Sequence, residues 1–159
     1  MASPRPVLVG GGAVEFYTGS AVMTGDIDLI TPAQPELEEE LQKLGFVRPR
    51  GVGQSTRGWV HPELGLGFEV VGDSPMGGSV PTAHLAMVKA IPGEPALVLL
   101  SIEDMIADRM GQYASGTARD MLAQARTLFS LNFDMDLDYL DRRIREESVG
   151  DHGVEDLQD

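Results

Sequence analysis

Asp26 and Asp28 stand one residue apart in DIDLI, a run that otherwise has the apolar character of a buried strand. Burying a charge is costly unless it is paired, hydrogen-bonded or bound to a metal. Successive strand residues point to opposite faces, which sets both aspartates on one side while Ile27 and Leu29 face the core. Two carboxylates about 7 Å apart along one face can share hard divalent cations, which prefer oxygen ligands. A two-metal centre for phosphoryl transfer needs a further acid, to hold the metal that activates the nucleophile. Glu69 suits that place, because LGFEVVG embeds it among Phe68, Val70 and Val71 as a second strand would.

Gly10, Gly11 and Gly12 follow the apolar VLV of residues 7–9 and precede a short helix expected over 13–18. Backbone N–H groups at a helix N-terminus bind anions, and glycine lets them approach a triphosphate closely. A dinucleotide fingerprint would need a third glycine at position 15, which is Glu15, and the repeated strand–helix units of a doubly wound sheet are missing. A bare D-x-D also occurs at solvated strand edges and in turns; the glycines and Glu69 together favour a metal site. FDMDLDYL supplies the contrast, with Asp134, Asp136 and Asp138 in the same alternation but no glycine run ahead of them. It leads into an amphipathic segment and reads as a helix start, where acids suit the helix dipole.

The elements that must position these residues follow from periodicity. Strands are expected at 7–9, 26–30, 46–50, 58–61 and 66–71, and a hairpin at 84–90 and 96–100 around Pro-Gly-Glu-Pro. A helix over PELEEELQKL carries Leu37, Leu41 and Leu44 on one face and stops at Gly45. Two later helices open on capping-box patterns, Ser101-Ile-Glu-Asp104 and Thr117-Ala-Arg-Asp120. A last amphipathic helix covers 137–147, and the acidic residues 148–159 read as a disordered tail. The order is that of an α+β domain over 1–147, with a core at 7–100 and a C-terminal helical layer at 101–147.

In combination these residues resemble the minimal nucleotidyltransferases of the DNA polymerase β superfamily. Gly10, Gly11 and Ala13 match the glycine motif; Thr24, Asp26, Ile27, Asp28 and Leu29 match the metal motif; Glu69 matches the third carboxylate. The stretch LSIEDMIADRMGQYASGTARDMLAQARTLF is similar to the helical part of that family. The resemblance implies a nucleotidyltransferase-like mixed sheet flanked by helices, with Mg²⁺ or Mn²⁺ held by Asp26, Asp28 and Glu69. It also implies a nucleoside triphosphate contacted by Gly10, Gly11, Gly12, Thr24 and Arg109, with Asp104 and Asp120 bracing the helices. An RNA 3′ end, a protein hydroxyl or a small molecule would accept the nucleotide, and the small bacterial members act in toxin–antitoxin or phage-defence pairs. A module that only binds a partner, as an antitoxin masking a basic toxin, is the other reading.

Composition bounds the partners. The 159 residues carry a formal net charge of −13, and residues 134–159 hold ten acids against three bases. Such a chain is a poor general binder of nucleic acid, although a local patch of Arg48, Arg50 and Arg57 beside Trp59 could still guide RNA or triphosphate. A solvated hairpin edge explains the same arginines. Arg109 has a similar second reading, paired to Glu103 or Asp104 on its own helix. No cysteine is present, so disulfides, thiolate zinc sites and cysteine nucleophiles are excluded. His61, His84 and His152 lack ligand spacing. MASPRPVLVGGG has neither the charged start nor the long apolar run of a signal peptide, so the expected location is cytoplasmic.

Overall fold

The computed structural model describes residues 4–50 and 58–158. They fall into two compact units. Those up to Gly12 and from Thr24 to Leu99 form one; those from Ala13 to Met23 and from Leu100 onward form the other. Among the described residues, no helix is long and apolar enough to cross a membrane.

The first unit is built on a six-stranded mixed sheet. Its strands are β1 (Val7–Val9), β2 (Asp26–Ile30), β3 (Trp59–Val60), β4 (Gly67–Gly72), β5 (Ala86–Val88) and β6 (Leu97–Leu99), in the order β3-β4-β2-β1-β6-β5. β2 runs antiparallel to β1 and parallel to β4; β5 and β6 form the expected antiparallel hairpin. Val7, Val9, Leu29, Ile30 and Leu99 are buried. The register of β2 against β4 slips at Leu29/Ile30, which leaves Val71 unpaired and half exposed.

Helix α2 (Gln34–Lys43) starts on a proline at its first turn and turns out at Gly45, where φ is +92°. Its Leu37 and Leu41 pack with Phe46, Trp59 and Phe68. The strand expected at 46–50 shrinks to one bridge, Val47 to Val60. Pro49 has no N–H to extend a ladder, so pairing stops there.

Helix α1 (Gly10–Tyr17) begins directly after β1, so the glycines form its first turn instead of preceding it. Its later residues belong to the second unit, with α3 (Ile102–Ala114), α4 (Met121–Leu131) and α5 (Leu137–Glu147). Ala13, Val14, Met105, Ile106, Met110, Leu128, Leu140 and Ile144 are fully buried there. The Asp104 N–H donates to Ser101 Oγ, completing the expected cap of α3. The cap expected at Thr117 does not form: its hydroxyl bonds Ser115 Oγ, and α4 starts later, after an exposed Asp120 that caps nothing. Asp136 caps α5 by accepting from the Tyr139 N–H, so FDMDLDYL is a helix start.

Asp104 is the polar centre of this unit. Fully buried, it accepts from Arg143 Nε at 2.8 Å and from the Tyr139 hydroxyl at 2.9 Å. Burial and the bond to Asp104 push the Tyr139 phenol up to about 12. At Gly111, a Cβ would sit 3.1 Å from the Glu147 side chain, so α3 and α5 meet there at glycine distance.

Residues 148–158 correct the reading of a disordered tail. A 3₁₀ turn at Val154–Leu157 buries Leu157, and the polar groups around it are satisfied from the helices. Val154 N–H donates to Asp141, Arg145 bonds Glu155, and both Arg126 nitrogens Nε and Nη2 donate to the Asp156 carbonyl. The composition of SVGDHGVEDLQD pointed to disorder because its few apolar residues look isolated. One of them, Leu157, is buried, and Glu155 pairs with Arg145.

Candidate active site

Strand register decides where the acids go. Asp26 faces Gly67 and Asp28 faces Glu69 across the parallel β2–β4 pair. Paired residues on neighbouring strands share a face, and residues two apart share it too. All three carboxylates therefore stand on one side of the sheet, with Asp28 and Glu69 side by side. Val9 is the opposite neighbour of Asp28, so the acids sit where β1 ends and the glycines begin.

The glycines are specified by these side chains. A Cβ at Gly10 would lie 2.4 Å from Asp28 Oδ2, and one at Gly11 would lie 2.5 Å from Thr24 Oγ1. Real Cβ atoms do not approach oxygen so closely. Gly10 also has a φ of +60°, which disfavours any other residue. Thr24 Oγ1 donates to the Asp26 carbonyl at 3.2 Å, tying the start of β2 to the same corner. Gly10, Gly11, Thr24 and Asp28 thus form one fitted group. Gly12 instead faces Leu8 and Ile27 and serves packing.

Gly67 was not singled out by the sequence. A Cβ there would meet Asp26 Oδ1 at 2.6 Å. The signal was present: Gly67 precedes Glu69 by two residues, as Asp26 precedes Asp28, so both pairs share one face of parallel strands.

The donor set fits a hard divalent cation. Three carboxylates offer oxygen ligands only, on strands that fix their backbones. Among the described residues, no cage of three or more His, Asp or Glu side chains is placed to hold a metal ion. Mg²⁺ rarely uses such a cage; it takes one or two carboxylates and completes its shell with waters and substrate phosphates.

Arg109 lies in the other unit, on α3. It is buried, donates from Nη1 to Asp108 at 3.0 Å, and its Nε has no hydrogen-bond partner among the described residues. Its ion-pair partner is thus Asp108, not Glu103 or Asp104. Burial holds the Asp108 carboxyl above the usual carboxylate range, against the pull of Arg109 and Gln112.

Of the other basic candidates, Arg48, His61 and His152 have local partners. Arg48 stacks over Trp59, 4.9 Å from the ring centroid, and pairs with Glu38. Arg57 lies outside the described residues. His61 Nδ1 accepts from the Glu63 and Leu64 N–H groups, and its ring meets Phe46 edge-on. His152 sits beside Asp156 and Tyr113.

No family model and no curated protein matches the chain. Among solved structures it is similar to the antibiotic-resistance factor ANT(2'')-Ia. The two share 16% identity over 89% of this chain and 80% of the other, with a TM-score of 0.53. At that identity the likeness speaks for architecture: the mixed six-stranded sheet with five helices is a nucleotidyltransferase-like α+β fold.

Proposed function

We propose that the protein is a metal-dependent nucleotidyltransferase, which moves a nucleoside monophosphate from a nucleoside triphosphate to an acceptor hydroxyl. The observation that carries this reading is the pairing of Asp28 with Glu69, beside Asp26 and against the Gly10–Gly11 turn. Asp26 and Asp28 would hold Mg²⁺ or Mn²⁺, with Glu69 completing the side toward the acceptor. The bound cation supplies charge neutralisation at the phosphates and lowers the pKa of the attacking hydroxyl. The Gly10 and Gly11 backbone, free of Cβ atoms, lets phosphate oxygens come close, and Thr24 keeps the turn in place. The acceptor oxygen forms a bond to the α-phosphorus as the bond to the bridging oxygen breaks, and pyrophosphate leaves. Positioning and charge supply the catalysis, so no side-chain nucleophile is needed.

The acceptor is an RNA 3′ end or a protein hydroxyl, in the cytoplasm, within a bacterial toxin–antitoxin or defence pair. A small molecule is the third acceptor class, and the net charge of −13 would favour a cationic one. A partner-binding module without transfer is the second reading, favoured by the acidic surface. The deciding experiment incubates the protein with each α-labelled nucleoside triphosphate, Mg²⁺ or Mn²⁺, and total RNA, a candidate partner protein or a cationic small molecule. Label transfer that disappears in Asp28→Asn supports the enzyme. No transfer to any acceptor, from a protein whose melting temperature ignores both metals, sinks it.

A further inference from the structure

In the second unit, the connection from α4 to α5 leaves large apolar side chains in water. Phe133 is 92% exposed, and Leu131 and Leu137 on either side are about half exposed. Asn132 between them is held firmly: its Nδ2 donates to the Leu128 carbonyl at 2.9 Å and to the Tyr17 carbonyl at 3.1 Å. That second bond draws the connection against the end of α1, where Phe16 is also exposed and stands edge-on to Tyr17. Single exposed apolar residues are ordinary, but an anchored group of them marks an interaction surface.

The charge around the group is one-sided. Asp134, Asp136 and Asp138 are exposed, and Glu103 accepts from the Asp136 N–H. No Lys or Arg occurs from Thr127 to Asp141, a stretch that holds four aspartates. Acids further along are already engaged, Glu155 by Arg145 and Asp156 by His152 and Gly153. Asp134 and Asp138 therefore place exposed negative charge beside Phe133. It repels nucleic acid, anionic membranes and a second copy of this acidic chain alike.

We propose that Leu131, Phe133, Leu137 and Phe16, edged by Asp134 and Asp138, form a docking surface for a protein partner. The partner would present an amphipathic helix whose apolar face is flanked by lysine or arginine. Phe133 is the anchor, and the aspartates steer the approach and set orientation. This surface does not depend on the transfer reaction, whose acids lie in the first unit.

The test uses two labelled helical peptides, one of leucine and lysine and one of leucine and glutamate, titrated into the full-length protein and followed by anisotropy. Phe133→Ser is the main variant; its side chain is in water, so the melting temperature should hold. The lysine peptide should bind wild type and lose roughly tenfold in affinity with Phe133→Ser. Asp134→Asn with Asp138→Asn should weaken it and flatten its salt dependence, whereas Glu63→Asn with Asp73→Asn in the first unit should not. The glutamate peptide should not bind. Equal affinity for wild type and Phe133→Ser, no binding at all, or equal loss from the first-unit pair would overturn the proposal. So would a wild-type dimer that Phe133→Ser converts to monomer, since a second copy would then be the occupant.

Discussion

Asp28 and Glu69 are direct partners across two parallel strands, their Cα atoms separated by one inter-strand spacing, about 4.8 Å. A divalent ion held by the two carboxylates would bind the folded chain and not the unfolded one. Mg²⁺ or Mn²⁺ should therefore raise the melting temperature of wild type, and Asp28→Asn should lose most of the gain. In a label-transfer assay, Asp28→Asn and Glu69→Gln should each lower the rate about 10²-fold or more, with the circular dichroism spectrum unchanged. A metal response equal in wild type and variant would remove the cation from this corner.

Gly67→Ala tests the same corner by volume alone. The added methyl would meet Asp26 Oδ1, which can swing aside, so the stability cost should stay near 1 kcal/mol while the acid leaves its place. Mn²⁺ affinity, read by titration, should fall more than unfolding free energy does. Gly10→Ala differs, because a φ of +60° adds backbone strain to the contact with Asp28. It should lower stability further, which urea unfolding would show.

Asp104→Ala should be among the most damaging changes in the second unit. It removes the fully buried partner of Arg143, which keeps Glu146 and Glu147, and the acceptor of Tyr139, so a loss of about 1–3 kcal/mol is expected. Tyr139→Phe removes one hydrogen bond and should cost about 0.5–1.5 kcal/mol. Comparable losses from the two variants would mean the network is more exposed than its geometry implies.

The C-terminal turn should loosen in acid. The Arg145 guanidinium and the Val154 N–H hold Asp141 below the usual carboxylate range; the Gly153 N–H and His152 do the same for Asp156. A depressed folded-state pKa contributes stability that is fully present above the unfolded value, near 4, and is lost as pH falls through the native one. Protection of the Gly153 and Val154 amides in hydrogen exchange, corrected for intrinsic rates, should hold from neutral pH to about 5 and decline below 4. Asp141→Asn should weaken it already at neutral pH.

The acids and glycines were legible because alternation and spacing are local properties. DIDLI and LGFEVVG form strands with register that brings Asp28 to Glu69, and Val7–Val9, the hairpin and α5 match their expected spans closely. What a linear reading could not supply was partnership at a distance. Nothing near Gly67 announces that Asp26 will lie against it, and nothing in GVEDL that Arg126 and Asp141 wait for it. Arg109 was found as a residue type in a helix; its burial and its bond to Asp108 depend on packing.

The second unit draws on two separated stretches, 13–23 and the chain from Leu100 onward. A ribosome delivers the first of these early and must then make all of 24–99 before the rest appears. At typical elongation rates that interval is roughly 4–15 s. Throughout it Ala13 and Val14, fully buried in the finished protein, have none of the later helices of their unit to cover them. Nascent chains stalled before α3 should therefore expose this half of α1 to trigger-type chaperones or proteases. Release should come only once α3 to α5 have emerged, which makes completion of the second unit a late, all-or-none event in biosynthesis.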